Sequence, residues 1–501
     1  VLVEFSSPNT NKPLHLGHVR NILLGWSCSR MLEAVGYDVV KVQIVNDRGV
    51  AICKSMVSWQ MFGEGQTPEQ TGTKSDHFVG DYYVLFEQKT KAEYEQWQTT
   101  LAAAAVLEAK RKPGQGDKEF FKEYKNKWFN EHSLLGAAVR EMLLKWENHD
   151  PETIAFWQKM NAWVYAGFAQ TYHDLGVTFD KLYYESDTYL LGKSIVEEGL
   201  TKGVFFKKED GSVWIDLTDA GYDQKIVLRA DGTSVYLTQD LGTSRIRHAD
   251  FGANKMVYVV ADEQNYHFDV LFETLQRLGE PYADGLYHLS YGLVELPSGR
   301  MKTREGTVVD ADDLVAEVTR LAWEGIRTRG EEGDIPAAEQ AITARKVGMA
   351  ALKYFIIKVH PHKKMIFNPE ESVDMQGQTG PYIQYSYVRI HGLLQRVIKE
   401  QVDLSIAGQY TNLQPPEREL LRGLHDYPSV LAAAAANYDP SLIANFCYGL
   451  AKSYHRFWHD LKVFGAETAE AKAFRLQLSQ AVGQILKAGM DLIGIEMPER
   501  M

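Results

Sequence analysis

The first 45 residues constrain the fold most, because an apolar run, a turn-rich loop, a helix and a second apolar run follow each other there. Residues 1–5 (VLVEF) predict a buried strand, and a helix is expected from near His15 through Ala34, with Gly36 at its end. Residues 37–45 predict the next strand. This order predicts a βαβ unit, a parallel sheet and ligand binding at the carboxyl ends of its strands.

The rest of the chain changes character twice. Residues 55–168 are mostly helical and indicate an insertion, and residues 203–238 contain short alternating runs with Asp-Gly turns typical of hairpins. Strand signals end near residue 334. We therefore expect an α/β fold, with a Rossmann-like parallel-sheet domain over 1–335, followed by an all-α helical-bundle domain over 336–501.

Composition excludes several classes of protein. No apolar run is long enough to span a bilayer and no signal peptide is evident, so a cytoplasmic location is expected. The cysteines Cys28, Cys53 and Cys447 are too far apart in sequence to indicate a zinc site or disulfides. A formal charge of −12 argues mildly against a nucleic-acid partner, although basic residues can still cluster locally.

The loop SSPNTNKPLHLGH places His15, Gly17 and His18 where the first strand gives way to its helix. A helix N-terminus presents unpaired N–H groups to an anion, glycine allows close approach, and imidazoles can donate to a developing phosphate charge. Two histidines around a glycine also arise by chance, but their position in the first βαβ unit favours a nucleotide site. The Gly-Lys-Ser at 192–194 lacks the first glycine of a Walker loop, since Asp187 stands there.

Residues 3–49 resemble the signature region of arginyl-tRNA synthetases, in which HLGH stands for the HIGH motif of class I. The resemblance extends through the regions of Tyr236, Gln264 and Arg300 to the last residue. It implies an arginine–tRNA ligase: ATP activates L-arginine to arginyl-adenylate, and the arginyl group passes to the 3′ terminal adenosine of tRNA(Arg), releasing AMP and pyrophosphate. It also implies Mg²⁺ with ATP, no dedicated metal site on the protein, and a need for bound tRNA before activation.

The resemblance also implies which residues handle the phosphates. The loop Arg300-Met301-Lys302-Thr303-Arg304 occupies the place of the KMSKS signature, but its usual second lysine aligns with Thr303. We expect Lys12 to supply the missing charge. The implied catalytic set is His15, His18, Lys12, Lys302 and Arg304. The implied ATP-binding set is Pro13, His15, Gly17, His18, His267 and Met301, although His267 could equally be a core histidine.

A guanidinium requires planar acceptors, best supplied by carboxylates beside a neutral hydrogen-bonding group. Tyr236 and Asp240 are four residues apart and would face the same way on a helix. The resemblance places both near the guanidinium, and it places Asn9 and Gln264 nearer the α-ammonium and carboxylate. The complete predicted arginine-binding set is Glu4, Ser7, Asn9, Tyr236, Asp240 and Gln264. On composition alone, Asp240 would be a helix-start residue and Glu4 a strand-edge charge.

In the helical domain, Tyr382 and Tyr385 lie three residues apart, a spacing more often found in a core than in a base-stacking surface. The surrounding QTGPYIQYSYVR is similar to the family's anticodon-binding segment, which implies tRNA contacts by Tyr382, Tyr385 and the terminal Met501. Two departures from the family stand out. The residues Asn46 to Gly49 replace its usual Gly-Asp-Trp-Gly, and we expect that the family's additional N-terminal domain is lacking.

Competing interpretations remain at this stage. The chain could be another HxGH nucleotidyltransferase or a synthetase for a different amino acid, which the pair Tyr236 and Asp240 disfavours. It could also be a catalytically silent RNA-binding paralogue, an alternative kept open by the irregular loop from Arg300 to Arg304. For the synthetase we expect a monomer with no membrane partner.

Overall fold

Five parallel strands form the centre of the protein, in the order β3-β2-β1-β7-β8. The structure is a computed structural model and describes residues 1–189, 191–297, 309–328 and 335–501. The strands are β1 (Leu2–Glu4), β2 (Val40–Val45), β3 (Lys181–Tyr184), β4 (Phe205–Lys207), β5 (Val213–Ile215), β6 (Lys225–Leu228), β7 (Met256–Ala261), β8 (Leu286–Tyr291), β9 (Val294–Glu295) and β10 (Met365–Ile366).

Helices cover both faces of this sheet and form the C-terminal part of the chain. They are α1 (Leu16–Ala34), α2 (Val50–Phe62), α3 (Pro68–Thr71), α4 (Ser75–Trp97), α5 (Leu101–Lys110), α6 (Asp117–Glu131), α7 (Leu134–Glu147), α8 (Pro151–Leu175), α9 (Glu185–Thr188), α10 (Lys193–Thr201), α11 (Tyr236–Phe251), α12 (Asn265–Leu278), α13 (Ala311–Thr328), α14 (Ala337–Ile357), α15 (Pro369–Ser372), α16 (Gly380–Lys399), α17 (Pro415–Ala436), α18 (Ser441–Asp460) and α19 (Ala469–Leu492).

The short strand β1 lies in the middle of the sheet, so both of its faces and both of its edges are covered. All three of its residues are buried, and Glu4 pairs in register with Val42 of β2 and Tyr258 of β7. Near-continuous apolar strands of this kind are typical of parallel sheets sandwiched between helices. The predicted α/β class with a Rossmann-like parallel sheet is confirmed.

Helix α1 packs closely on the sheet at one specific point. A Cβ added to Gly25 would lie 2.2 Å from the ring of Phe5, so only glycine lets the helix approach the end of β1. The buried Arg20 of the same helix donates from Nη2 to the carbonyls of Pro361 and Lys363, at 3.0 and 2.8 Å. Helix α1 therefore joins the sheet to the segment that follows α14.

Helices α2 to α8 lie between β2 and β3, and a small antiparallel sheet, β4-β5-β6, lies between α10 and α11. Two expectations were wrong. The run at 234–237 (SVYL) is not a strand, since α11 begins at Tyr236. Strand signals do not end at 334, because β10 pairs with β9, and two residues are too few to show an alternating pattern.

The helices after Pro336 pack on one another through a continuous apolar cluster shared with α1. The buried Lys353 of α14 donates from Nζ to the carbonyl of Gly494, at 2.5 Å, which ties the end of the chain to α14. Burial lowers the pKa of Lys353 to about 8. Within the described ranges, no helix combines the length and apolar character needed to cross a membrane. The domain boundary near residue 335 stays a prediction.

Candidate active site

The chain reverses sharply where β1 ends, and side chains from neighbouring elements hold the turn. Ser6 and Ser7 both have positive φ, at 77° and 39°, which is uncommon for residues with a Cβ. The Ser6 N–H donates to Asn21 Oδ1 at 2.5 Å, and Asn21 Nδ2 donates to the carbonyl of Val259 at 2.7 Å. The loop is thus fixed between α1 and β7, at the carboxyl end of the sheet.

Residues 12–18, called here the HLGH corner, form the entry to α1. His15 is the N-cap, and its Nδ1 accepts a hydrogen bond from the Gly17 N–H at 3.1 Å. The His15 N–H donates to Nδ1 of His18, also at 3.1 Å. Because each Nδ1 is an acceptor, the neutral form of each ring carries its proton on Nε2. Both imidazoles are therefore donors whose orientation is fixed by backbone atoms.

The electrostatics of the corner keep both rings neutral. Burial lowers the pKa of His15 to about 4, and the positive charge of Lys12 acts in the same direction. Burial also holds the pKa of His18 well below its usual range, with further contributions from His15 and Lys12. Lys12 therefore lies close enough to both rings to lower their pKa values. This position agrees with the expectation that Lys12 supplies a positive charge near the phosphates.

The structure gives a reason for glycine at position 17 that differs from the expected one. A Cβ at this position would lie 2.9 Å from His15 Cε1 and 3.1 Å from its Nδ1. The glycine thus makes room for the His15 ring in its capping position. The expected approach of a nucleotide to Gly17 stays a prediction. Pro13 contacts the insertion, since a Cβ on Gly80 would lie 2.6 Å from its Cδ.

Glu4 lies opposite a buried cation that sequence reasoning missed. Its Oε2 forms an ion pair with Nη1 of the fully buried Arg247 on α11, and its Oε1 accepts from Ser7 Oγ at 3.1 Å. The strand-edge interpretation of Glu4 is wrong, because β1 is central. Burial acts to lower the pKa of Arg247, but the Glu4 carboxylate acts in the opposite direction and the pKa is raised, so the guanidinium stays charged inside the protein.

Asp240 and Tyr236 both lie on the first turns of α11, as predicted, but in different surroundings. The Tyr236 side chain is 77% exposed, whereas Asp240 is half-buried and its Oδ2 is 2.7 Å from His267 Nε2. His267 lies on α12 near the carboxyl end of β7. The structure therefore brings together Asp240 and His267, one from the predicted arginine set and one from the predicted ATP set.

Glu185 is another carboxylate that sequence reasoning missed. It follows β3 directly, and burial raises its pKa; Asp47 and Asp240 act in the same direction, whereas Arg48 acts to lower it. Its position after a strand of the parallel sheet was the available signal. We call Glu4, Glu185, Tyr236, Asp240 and His267 the carboxylate pocket. A cavity of about 570 Å³ opens beside it, lined by Glu185, Tyr236 and Gln239 among others.

Asn9 and Gln264 lie at the carboxyl ends of the adjacent strands β1 and β7. Asn9 forms an isolated parallel bridge with Asn46, and Gln264 ends a short 3₁₀ turn that precedes α12. Both side chains are exposed. They therefore lie at the same carboxyl end of the sheet as the HLGH corner and the carboxylate pocket.

The departure from the family at Asn46 to Gly49 has a local explanation. The Arg48 guanidinium lies over the Tyr189 ring at 4.0 Å and over the Trp146 ring at 5.2 Å. Its planar group packs on aromatic faces, as an aromatic side chain would. The neighbouring Asp47 accepts from Ser186 Oγ at 2.7 Å and from Tyr165 OH at 3.0 Å.

The second predicted signature, with Arg300, Met301, Lys302, Thr303 and Arg304, lies outside the described residues. The chain that follows it contacts the HLGH corner directly. The N–H of Leu16 donates to the Val309 carbonyl at 3.2 Å, and the N–H of Ala311 donates to the Leu14 carbonyl at 2.9 Å. Two backbone hydrogen bonds therefore join the HLGH corner to residues 309–311.

Ion pairs connect residues 310–312 to the helical insertion. His77 Nε2 lies 3.2 Å from Asp310 Oδ2 and 2.9 Å from Asp312 Oδ2, and these carboxylates raise the pKa of His77 to about 10. Asp76, His77 and Asp312 are spaced so that they could hold a metal ion. The Lys74 ammonium already lies among them, 2.5 Å from Asp312 and 3.3 Å from Asp76, so we interpret the group as an ion-pair cluster.

The predicted tRNA residues lie on α16 and beside it. Tyr382 packs against Tyr448 and His455, whereas Tyr385 accepts a hydrogen bond from Arg389 Nη2 at 3.1 Å. The Arg389 guanidinium also lies 5.4 Å from the Trp458 ring. The last residues follow the same helix, since His391 Nδ1 is 3.2 Å from the Glu499 carbonyl. Met501 is half-buried.

A parallel sheet with paired imidazoles at the first helix tip is the arrangement expected of a class I tRNA synthetase, and comparison with known proteins shows that class. A profile described as "tRNA synthetases class I (R), catalytic domain" matches residues 1–97 and 107–368, and one described as "DALR anticodon binding domain" matches residues 383–501. The chain belongs to the arginine–tRNA ligase family.

Sequence relatives support this assignment, and solved structures support the fold. The arginine–tRNA ligase of Parabacteroides distasonis is 51% identical over the whole chain and 80% of its own length, and that of Bacteroides thetaiotaomicron is 50% identical with the same coverage. Thermus thermophilus arginyl-tRNA synthetase, at 23% identity, has a TM-score of 0.75 and is matched over 100% of this chain and 82% of its own. The enzyme from Plasmodium falciparum, at 18% identity, has a TM-score of 0.71, with 100% and 77% covered. At these identities the solved structures support the fold.

Proposed function

We propose that the protein joins L-arginine to tRNA(Arg) in two steps. The arginine carboxylate attacks the α-phosphorus of ATP, pyrophosphate leaves, and arginyl-adenylate forms. The 3′ terminal adenosine of the tRNA then attacks the arginyl carbonyl through a ribose hydroxyl, and AMP is released. The observation that carries the proposal is the pair of neutral imidazoles at the tip of α1, whose Nε2 donors are fixed by the backbone.

The proposed chemistry requires little from protein acids or bases. Negative charge accumulates on the α-phosphate in the transition state, and preorganised donors stabilise that charge without reorganising. His15 and His18 present N–H donors there, next to the amide groups at the helix N-terminus. Neutral rings suit this role because a donor fixed on Nε2 does not depend on pH near neutrality.

Lys12 is the proposed source of the charge that Thr303 does not supply. Its effect on the pKa of both His15 and His18 supports a position beside the phosphates. Replacing Lys12 with alanine should lower adenylate formation by about 100-fold or more, since a charged donor to the phosphates is lost. The exposed Lys118 on α6 provides a matched control, and a near-normal rate for the Lys12→Ala variant would exclude this role.

The carboxylate pocket is the proposed arginine site. Asp240 and Glu185 supply carboxyl oxygens, and the exposed Tyr236 hydroxyl supplies a neutral acceptor beside them. Glu4 is already paired with Arg247, so its contribution to the substrate is through Ser7 and the loop after β1. We propose that Asn9 and Gln264 hold the α-ammonium and carboxylate of arginine, since they lie at the same carboxyl end of the sheet as the HLGH corner.

The proposed tRNA surface lies on the C-terminal helices. Arg389, Arg396 and Trp458 line a groove of about 540 Å³ beside Tyr385, where cations and aromatic rings alternate. Unstacked bases bind such surfaces by stacking, worth about 1–3 kcal/mol per base. Tyr382 packs against the rings of Tyr448 and His455, whereas Tyr385 lies beside Arg389 of the groove, so Tyr385 is the stronger candidate for base stacking.

Pyrophosphate exchange and tRNA charging test the proposed function. Exchange of labelled pyrophosphate into ATP is expected with arginine and Mg²⁺, only in the presence of tRNA(Arg), and charging of that tRNA should follow. We propose that Mg²⁺ enters with ATP and that the enzyme acts as a monomer. Exchange with a different amino acid would identify another synthetase, and no exchange together with tRNA binding would indicate a silent paralogue.

A further inference from the structure

His267 makes a single direct contact that bears on substrate selection. Its Nε2 lies 2.7 Å from Oδ2 of Asp240, and the two side chains come from different helices, α12 and α11. A carboxylate can only accept, so the imidazole donates this hydrogen bond from Nε2. The orientation of the Asp240 carboxylate therefore depends on His267.

Asp240 differs from two of the acidic groups nearby, Glu4 and Asp47, in how many of its hydrogen-bonding positions are occupied. Glu4 is paired with Arg247 and Ser7, and Asp47 accepts from Ser186 and Tyr165. In the part of the chain that the structure describes, Asp240 Oδ2 is bound only by His267, and Oδ1 makes no side-chain hydrogen bond. The Asp240 side chain is 41% exposed and the His267 side chain 28%. An acceptor oxygen thus remains accessible at the mouth of the pocket.

We infer that His267 is a positioning residue for arginine: it fixes the Asp240 carboxylate so that Oδ1 faces the substrate guanidinium. This inference rests on the proposed function of the carboxylate pocket. Recognition of a guanidinium by a carboxylate is directional, and a binding group needs a supporting hydrogen bond to hold its geometry. The earlier expectation placed His267 beside ATP, whereas this inference places it beside arginine. The two assignments can be separated by measuring KM for each substrate.

The test compares His267→Ala and His267→Gln in the full chain, with KM measured separately for arginine and ATP in tRNA charging. The alanine variant should raise KM for arginine by about 10- to 100-fold, the effect of losing a hydrogen bond to a charged group. KM for ATP should stay within about twofold. The glutamine variant keeps an N–H donor at a similar reach and should recover most of the loss. His173→Ala, at an exposed position on α8, is the control.

A double-mutant cycle separates positioning from a general structural effect. In an Asp240→Asn background, His267→Ala should add little to KM for arginine, because the group that it orients has already lost its charge. Independent, additive losses would overturn the inference, as would a raised KM for ATP with KM for arginine unchanged. Equal losses for the alanine and glutamine variants would also overturn it. Failure of the unmodified protein to charge arginine would instead refute the proposed function.

Discussion

The HLGH corner and the carboxylate pocket lie at the same end of one sheet, yet different kinds of contact hold them. In the corner, each imidazole is fixed by a backbone N–H no more than three residues away. In the pocket, carboxylates are fixed by side chains from other elements, such as His267 on Asp240 and Arg247 on Glu4. The corner is therefore a local motif, whereas the pocket depends on the packing of α11 and α12 on the sheet.

This difference in contacts suits the two proposed roles, phosphate binding at the corner and arginine selection in the pocket. Phosphate is common to every class I reaction, and a backbone-held donor pair serves it without help from distant residues. Arginine must be distinguished from other amino acids, which requires charged groups at defined positions. Side chains held by other side chains provide those positions.

The largest expected effect comes from breaking the buried pair under the pocket. Arg247→Met leaves Glu4 as an unpaired carboxylate in the central strand, which should lower the free energy of unfolding by about 3–5 kcal/mol. Chemical denaturation monitored by circular dichroism measures this loss. The double variant Glu4→Gln with Arg247→Met should recover part of it. A single variant as stable as the unmodified protein would show that the pocket does not depend on this pair.

A loss of similar size, but in rate, is expected at the corner. His18→Ala removes one preorganised donor and should lower pyrophosphate exchange by about 10²- to 10³-fold. His18→Gln keeps an N–H at the outer end of the side chain and should recover part of the rate. Thermal melting should change much less than for Arg247→Met, because the helix retains its other capping contact. An unchanged exchange rate would mean that the ring does not face the phosphates.

A smaller loss of rate is expected from adding a methyl group at Gly17, where the His15 ring occupies the space. Gly17→Ala places a Cβ 2.9 Å from His15 Cε1, so the ring must move by a few tenths of an ångström. Misplacing a catalytic group on this scale should lower kcat/KM for ATP by about 10-fold. Gly449, a glycine of α18 with open space around it, is the matched control, and alanine there should be neutral or slightly stabilising. Equal kinetics for both variants would contradict the packing argument.

The smallest effect concerns pH. The lowered pKa of His15, about 4, means that the ring is protonated only in acid, so its protonation should leave exchange unchanged between about pH 6 and 8. Below the ordinary histidine value of 6.5, the unfolded chain binds a proton that the folded chain does not. This residue therefore removes stability as pH falls from 6.5 toward 4. A pH–rate profile with a step near 6.5 that disappears in His15→Gln would contradict the neutral-donor assignment.

Local signals were sufficient for the framework and the corner. The apolar run at the start, the turn-rich loop and the glycine at the end of α1 predicted β1, α1 and β2, and these elements are confirmed with small shifts at their ends. His15 and His18 were identified because they lie within one helical turn of each other. Glu185 was missed although it directly follows a strand of the parallel sheet, and Arg247 was missed because nothing in its immediate neighbourhood distinguishes it from a surface charge. The run at 234–237 was misread as a strand because strand and helix patterns cannot be separated over four residues.

By itself, the sequence determined the β1-α1-β2 unit, and with it the parallel-sheet class, and it located the HLGH corner at the tip of α1, because the patterns that indicate these features lie within the first 45 residues. Only the tertiary structure decided that Glu4 is central and paired with Arg247, and that His267 bonds to Asp240 across 27 residues of sequence. The physical reason is that a buried charge must find an opposite charge wherever folding places one. That partner is chosen by packing in three dimensions, which spacing along the chain does not encode.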